Sequence, residues 1–492
     1  MTLPRQLGLG LAGLIGVLLV LWSAGAESGW VSLEAAMLLA AAFSIVFLVA
    51  QAGPSLTMCG ALALMCFSGY WANLGSPLPL DRLVIAVAFA GALARPDMRR
   101  KILRRLEQPL GLLLVLIIAY TVFSALRAGT LTEKNSFYAL LDSLGIVPYA
   151  LYIVAPVVFE APEDRENLLW TLVLIGAYLG FTALFETIHL NALVFPKYIL
   201  NPNVGIHFGR ARGPFVEADA NGLVMFACGV AATIALIRWR GERKAILAAL
   251  VLFLCGTGII FTLTRAIWIA SVVATLITLL LFKQLRRYFV PATLAIVVVA
   301  VGALVAIPGL ASQAQERSDA LRPVWDRLNT DAAAVRMFEQ RPLTGFGWYT
   351  FEHTGPEYMR QAGGYPLTGA GLNVHNVFLS RLAELGLIGT LAAVIALLWA
   401  IIGSAIRAGP PEMHPWRMGL VAVAIQWIIV ANFVPLTYAL PTALLWLWAG
   451  ILCPVPELSP AGDELPAEED QPSPARLPTR ATSRTAPTPQ DT

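Results

Sequence analysis

The chain has 492 residues, of which 57% are hydrophobic and only 13% charged, with 34 Lys and Arg against 31 Asp and Glu for a net charge of +3. Soluble globular proteins carry roughly 25% charged residues, so this composition excludes one, and so small a net charge offers nucleic acid no basic footprint. The five cysteines (Cys59, Cys66, Cys228, Cys255 and Cys453) lie in or beside apolar runs without metal-ligand spacing, so neither disulfides nor zinc is expected.

Apolar runs long enough to cross a hydrocarbon core of roughly 30 Å recur along the chain, which predicts an all-α integral membrane protein. About fourteen spans are expected, near 7–24, 33–52, 55–72, 80–95, 109–126, 141–160, 167–187, 221–237, 245–262, 266–282, 288–307, 376–403, 418–434 and 437–453. The first run lacks a small-residue cleavage site followed by a polar start, so it is expected to be a retained helix. Arg95, Arg99, Arg100, Lys101, Arg104 and Arg105 follow the fourth span, Arg238, Arg240, Arg243 and Lys244 the eighth, and Lys283, Arg286 and Arg287 the tenth. All three clusters then fall on one side, which the positive-inside rule makes cytoplasmic, with both termini. Residues 1–453 form the expected membrane domain. The tail 454–492 is rich in Pro, Ala, Thr and acidic residues and is expected to be a disordered cytoplasmic segment.

Two long outer segments remain, roughly 188–220 and 308–375. The second holds Trp325, Trp348, Tyr349, Tyr358 and Tyr365 among Gly and Pro, and a loop of that length in a compact protein is usually functional. Ser312 to Gln340 reads as partly helical, broken at Pro323, with Trp325, Leu328, Val335 and Phe338 as an apolar stripe facing the bundle.

Candidate chemistry gathers on the outer face. Arg210 and Arg212 precede the eighth span, and Arg265 sits in a very short outer turn between the ninth and tenth. A guanidinium at headgroup depth needs an anionic partner, and its planar fork suits phosphate oxygens; snorkelling to lipid phosphate is the plainer alternative. His375 stands where the long loop meets the twelfth span, and an imidazole can exchange a proton near neutral pH. With all four on one face, a pyrophosphate-binding site is the better expectation. Glu217 and Asp219 could bind a divalent ion, or could cap the eighth helix. Arg381 and Glu384, three apart within the twelfth span, are expected to pair. His207 and His353 have no recognisable context, and His189 and His414 are expected to be loop or interface residues.

These residues resemble the O-antigen ligase and polymerase superfamily of bacterial surface-polysaccharide enzymes, over about Arg210 to Gly389. Its Arg-x-x-Gly-x-Phe stretch followed by a helix-opening Asn is matched by Arg210, Gly213, Phe215 and Asn221, and its Ser/Thr-Arg turn by Thr264-Arg265. Pro342, Gly345 and Gly347 match a Pro-x-x-Gly-x-Gly turn in its large periplasmic loop. His375-Asn376, then nine residues, then Gly386 and Gly389 match its His-Asn…Gly-x-x-Gly pattern. Glu217-Ala218-Asp219 departs from the more usual Pro-containing approach to the Asn, and the N-terminal spans exceed the usual number.

The resemblance implies a GT-C-like fold of about 12–14 transmembrane helices, with 308–375 as the large periplasmic loop and 210–389 as the catalytic core. It implies an inner-membrane glycosyltransferase, its site facing the periplasm, that moves a polyprenyl-diphosphate-linked glycan to a glycan or lipid A-core acceptor. Arg210 and Arg265 would hold the diphosphate, and His375 would be the general base, kept neutral by the positive end of its helix. Arg212, Asn221, Asn376, Trp348 and Tyr349 are the substrate-binding candidates. No cofactor or metal is implied, because arginines would take the electrostatic role. Expected partners are membrane lipids and a flippase or chain-length regulator, with no nucleic acid. A polymerase extending lipid-linked repeat units is the alternative within the superfamily. A transporter or flippase of lipid-linked sugars is the alternative outside it, and predicts internal repeats that are not found here.

Overall fold

The computed structural model describes residues 53–74, 79–143, 145–361, 366–369, 373–407 and 409–454. The expected spans at 7–24 and 33–52, and the tail, lie outside the described residues. Within them the chain is helical and has no strand. The α-helices in chain order are α1 (Pro54–Leu64), α2 (Leu80–Leu93), α3 (Pro96–Leu106), α4 (Pro109–Ala128), α5 (Lys134–Asp142), α6 (Ile146–Val158), α7 (Pro162–Thr187), α8 (Ala218–Arg238) and α9 (Lys244–Phe261). They continue as α10 (Arg265–Leu281), α11 (Phe289–Ala306), α12 (Leu310–Asp319), α13 (Arg322–Gln340), α14 (Phe351–Tyr358), α15 (Val377–Ile406), α16 (His414–Ala431) and α17 (Ala439–Ile451).

Each of the twelve spans expected from residue 55 onward overlaps a helix, though α1 ends at Leu64, short of the expected 72. Among the described residues, eight segments are long and apolar enough to cross a membrane: Pro109–Ala128, Lys134–Val158, Pro162–Thr187, Ala218–Arg238, Lys244–Phe261, Lys283–Ala306, Val377–Ile406 and Pro411–Ala431. The chain is therefore an all-α integral membrane protein. Proline in the first turn starts α1, α3, α4 and α7, where its missing N–H costs no helix bond. The 14 residues of α2 rise about 21 Å, short of the roughly 30 Å core, so this expected span is shorter than a full crossing.

The core gathers around α8, which packs against α7, α9, α16 and α17. Glycines let these helices approach closely: a Cβ at Gly180 would lie 2.7 Å from the Leu254 Cβ, and one at Gly258 2.6 Å from the Met225 sulfur. In contrast, α11 lies at the edge, with only Ala303 buried.

Helix α15 is two helices joined at a break. Gly386 has φ 65° and ψ −168°, far from helical values. The turn at Pro342–Gly347 is laid into that break. Phe346 N donates to the Ala383 carbonyl (3.0 Å) and Gly347 N to the Glu384 carbonyl (2.8 Å). From the other side, Leu387 N donates to the Pro342 carbonyl (2.7 Å) and Ile388 N to the Leu343 carbonyl (3.2 Å). The remaining Leu385 carbonyl accepts from the Tyr120 hydroxyl (2.9 Å). The contact is backbone on backbone, because a Cβ at Gly345 would lie 2.4 Å from the Glu384 carbonyl carbon and one at Gly386 2.4 Å from that of Leu343.

The expected break in the 312–340 helix is present, with Pro323 in the first turn of α13. The expected packing stripe is present only in part. Trp325 and Phe338 are half-buried but Leu328 and Val335 are exposed, while Asn329, Thr330, Ala333, Ala334 and Met337 are buried. Two alanines bring α13 close to the amino-terminal half of α15, where Ala333, Ala334 and Met337 pack with Phe351, Val374 and Ala383. Large side chains on that face would hold the helices apart. The Arg381–Glu384 pair forms as expected, at 3.0 Å, with the Arg381 guanidinium 4.3 Å from the Trp348 ring centroid.

Substituting Gly386 by Ala forces a left-handed φ on a residue with a Cβ and pushes it into the Leu343 backbone. It should cost on the order of 1–3 kcal/mol. At Gly256 a Cβ would meet nothing within 4 Å, so alanine there should be accepted without loss. Thermal unfolding of the detergent-purified variants compares the two directly.

Candidate active site

Three loops and one loop helix meet at the amino-terminal ends of α8 and α10. The first stretch of the site runs from Arg210 to Glu217. Ala211 N donates to the Phe261 carbonyl (3.0 Å), which fixes this stretch against the end of α9. Asn221, fully buried in the first turns of α8, donates from Nδ2 to the Ala211 carbonyl (3.0 Å). Gly213 (φ 53°) crosses so near that a Cβ would lie 2.7 Å from Asn221 Oδ1. These contacts aim Arg210 at the α9–α10 turn, where its Nη1 reaches Thr264 Oγ1 (3.4 Å).

That turn is three residues long, Thr262–Thr264, and Arg265 opens α10. Its Nη2 donates to the Ala320 carbonyl (3.4 Å), just before α13. Asp219, in the first turn of α8, is buried and within electrostatic reach of both Arg210 and Arg327. Arg327, on α13, was not singled out from the sequence. Burial holds its guanidinium below the ordinary value, against the Asp219, Asp331 and Asp326 carboxyls that favour its charge, while Arg265 adds to the depression. Burial raises Asp331 to about 6, with Arg327 opposing.

His375 completes the group. It directly precedes Asn376, whose Oδ1 accepts from Phe378 N (3.0 Å) and Leu379 N (3.1 Å) and so caps α15. Burial, then the nearby Arg327, pushes the imidazole below its ordinary value; the Asn373 backbone and Asp326 pull the other way. Its buried Nδ1 makes no hydrogen bond of normal geometry with any described residue. Arg210, Arg265 and His375, far apart in sequence, are thus linked through Asp219 and Arg327.

The other candidates have structural partners instead. Arg212 is 1% exposed and spends its donors on backbone carbonyls: Ile199 (2.7 Å), Asn201 (2.7 Å), Val204 (2.8 Å) and Ile206 (3.3 Å). It staples the 199–206 loop rather than facing the cluster. Asn221 and Asn376 serve as described, the latter also donating to Asn432 Oδ1 (3.3 Å). Trp348 is fully buried with Ala125, Leu140 and Leu385, donating to the Ser136 carbonyl (3.2 Å). Tyr349 lies beside Glu352 and Glu384, and burial, then those carboxylates, raises its hydroxyl to about 12.

The acidic pair is divided between two environments. Glu217 faces Tyr70 and Tyr438, whose hydroxyls lie 3.3 Å apart, and burial and then Asp219 push its carboxyl above the ordinary range. Asp219 faces the arginines.

The division between Arg210 and Arg212 is testable. Arg212→Ala leaves several buried carbonyls unpaired, at about 1–3 kcal/mol each, so it should lower the melting temperature sharply. Arg210→Ala leaves Asp219 with Arg327 and should lower it less.

No curated protein matches the chain. Residues 250–394 match the family model described as O-antigen ligase. That segment carries Arg265, Arg327, the Pro342–Gly347 turn, His375 and the break at Gly386, and over it the chain is similar to the O-antigen ligase family.

Proposed function

We propose that this protein is a glycosyltransferase of the inner membrane of a bacterium, which moves a glycan from a polyprenyl diphosphate to a sugar hydroxyl. The observation that carries this is the convergence of Arg210, Arg265 and His375 around Asp219 and Arg327 at the amino-terminal ends of α8 and α10. Guanidiniums at that depth suit a diphosphate whose lipid tail stays in the bilayer. A buried imidazole disposed to stay neutral suits a base.

In the transfer, the acceptor hydroxyl oxygen attacks the anomeric carbon of the donor sugar as its proton passes to His375. The anomeric carbon–oxygen bond breaks, and the electron pair leaves with the polyprenyl diphosphate. Arg210 and Arg265 offset the charge that grows on the leaving oxygens, an effect strongest where water is excluded. Because burial and Arg327 lower the imidazole, His375 remains neutral to a lower pH than an ordinary histidine. Rate should therefore fall only as pH drops through that lowered value. A ligase and a polymerase share these steps and differ in the acceptor, a lipid A core or similar anchor in one and a new repeat unit in the other.

Two measurements test this. Transfer from a polyprenyl-diphosphate glycan in proteoliposomes should fall on the order of 10²–10⁴-fold in His375→Ala, the usual cost of removing a general base. Arg265→Lys keeps the charge without the fork and should lose on the order of 10²-fold. Full activity in His375→Ala would overturn the assignment of the base.

The site should face the periplasm. The five native cysteines are buried, so single cysteines at the exposed Ser312 and Arg240 report cleanly. An impermeant maleimide added to intact spheroplasts should label Ser312→Cys and spare Arg240→Cys. The reverse pattern would place the site on the cytoplasmic face.

A further inference from the structure

The amino-terminal half of α13 is held between two parts of the site. On one side Arg265 Nη2 donates to the Ala320 carbonyl (3.4 Å). On the other, Asn329 Nδ2 donates to the Pro366 carbonyl (2.9 Å). A Cβ at Gly369 (φ 82°) would lie 3.1 Å from the Asp326 Cα, so the segment before His375 lies against the helix backbone itself. Val374 is buried against Ala333 and Ala334 of the same helix. Arg327 sits between these ties. Its Nε is buried and has no hydrogen-bond partner among the described residues.

We propose that Arg327 is a positioning residue of this site, brought in by the extramembrane helix, which sets the charge state of His375 and joins Arg210 in holding Asp219. This rests on the transfer chemistry proposed above. The groups facing His375 are Arg327 and Asp326 from α13 and the Asn373 backbone from its own segment. A cation beside an imidazole opposes protonation, and a carboxylate favours it. Arg327 is the cation in that set, and it acts in the same direction as burial. Without it, Asp326 faces His375 unopposed, and the imidazole takes up its proton at a higher pH. Arg327 also faces Asp219, Arg265, Asp331 and Asp326. Asp219 is within electrostatic reach of both Arg210 and Arg327, so losing Arg327 leaves Arg210 as the arginine that offsets that carboxylate and makes Arg210 less free for the donor. One side chain of the outer loop thereby links the base to the diphosphate clamp.

The test is the pH dependence of transfer by reconstituted full-length protein. In Arg327→Gln the acid limb should move to higher pH, and the plateau rate should fall on the order of 10²-fold. Arg327→Lys keeps the cation, and its acid limb should lie where the native one does. Asp326→Asn removes the opposing carboxylate, so its limb should move to lower pH. These opposite shifts do not arise from a loosened loop, which lowers rate at every pH alike. An unmoved acid limb in both Arg327→Gln and Asp326→Asn would reduce Arg327 to a structural tie. Should Arg327→Gln not fold, Asp326→Asn decides alone. If His375→Ala itself transfers glycan at the native rate, the base assignment fails rather than this proposal.

Discussion

A helix broken inside a membrane strands backbone groups where no water can reach them, and each costs several kcal/mol unless protein supplies a partner. Helix α15 is broken nine residues from its start, at Gly386. The Pro342–Gly347 turn and the Tyr120 hydroxyl take up the groups that the break exposes. This repair determines much else. It brings the 308–375 loop against the broken helix, seats Trp348 beneath Arg381, and gives Glu384 the backbone N–H of Phe351 at 3.4 Å. With the loop fixed there, α13 can pack on the amino-terminal half of α15 and present Arg327 to the cluster.

The helices were readable because the hydrocarbon core demands long apolar runs, a demand written locally in sequence. Charges at the loops fixed the expected register for the same reason. The site was readable in part. Arg210, Arg265 and His375 stand out as polar groups at shallow depth, where solvation alone makes them conspicuous. Arg212 looks equivalent to Arg210 on that criterion, and only the fold reveals that its fork is closed by the carbonyls of Ile199, Asn201, Val204 and Ile206. Arg327 was hidden for the opposite reason. In a polar helix an arginine is ordinary, and the one hint is its i,i+4 spacing from Asp331 on a helix whose buried face is made of small residues.

Only half of the stripe expected on α13 is buried even in part. Large apolar residues mark a buried face when burial itself drives packing. Against α15 the closer constraint is approach distance, so Ala333 and Ala334 take the interface and Leu328 and Val335 are left outside. The glycines at Gly345, Gly386 and Gly389 have the same origin. Gly345 and Gly386 are two faces of one contact, each excluding a Cβ from the other's backbone. Gly389 lies where a Cβ would meet the Tyr120 ring at 2.7 Å, beside the hydroxyl that serves the break.

The order of these pieces along the chain has a consequence for assembly. The turn that repairs α15 is made before α15, with about thirty residues between Gly347 and the helix start. As the ribosome delivers Val377–Ile406, the segment able to cover its open backbone has already emerged. The break therefore enters the bilayer with its complement at hand. A chain permuted to place residues 342–347 after the helix would have to insert α15 with its unpaired groups bare, and would wait on later synthesis to close them.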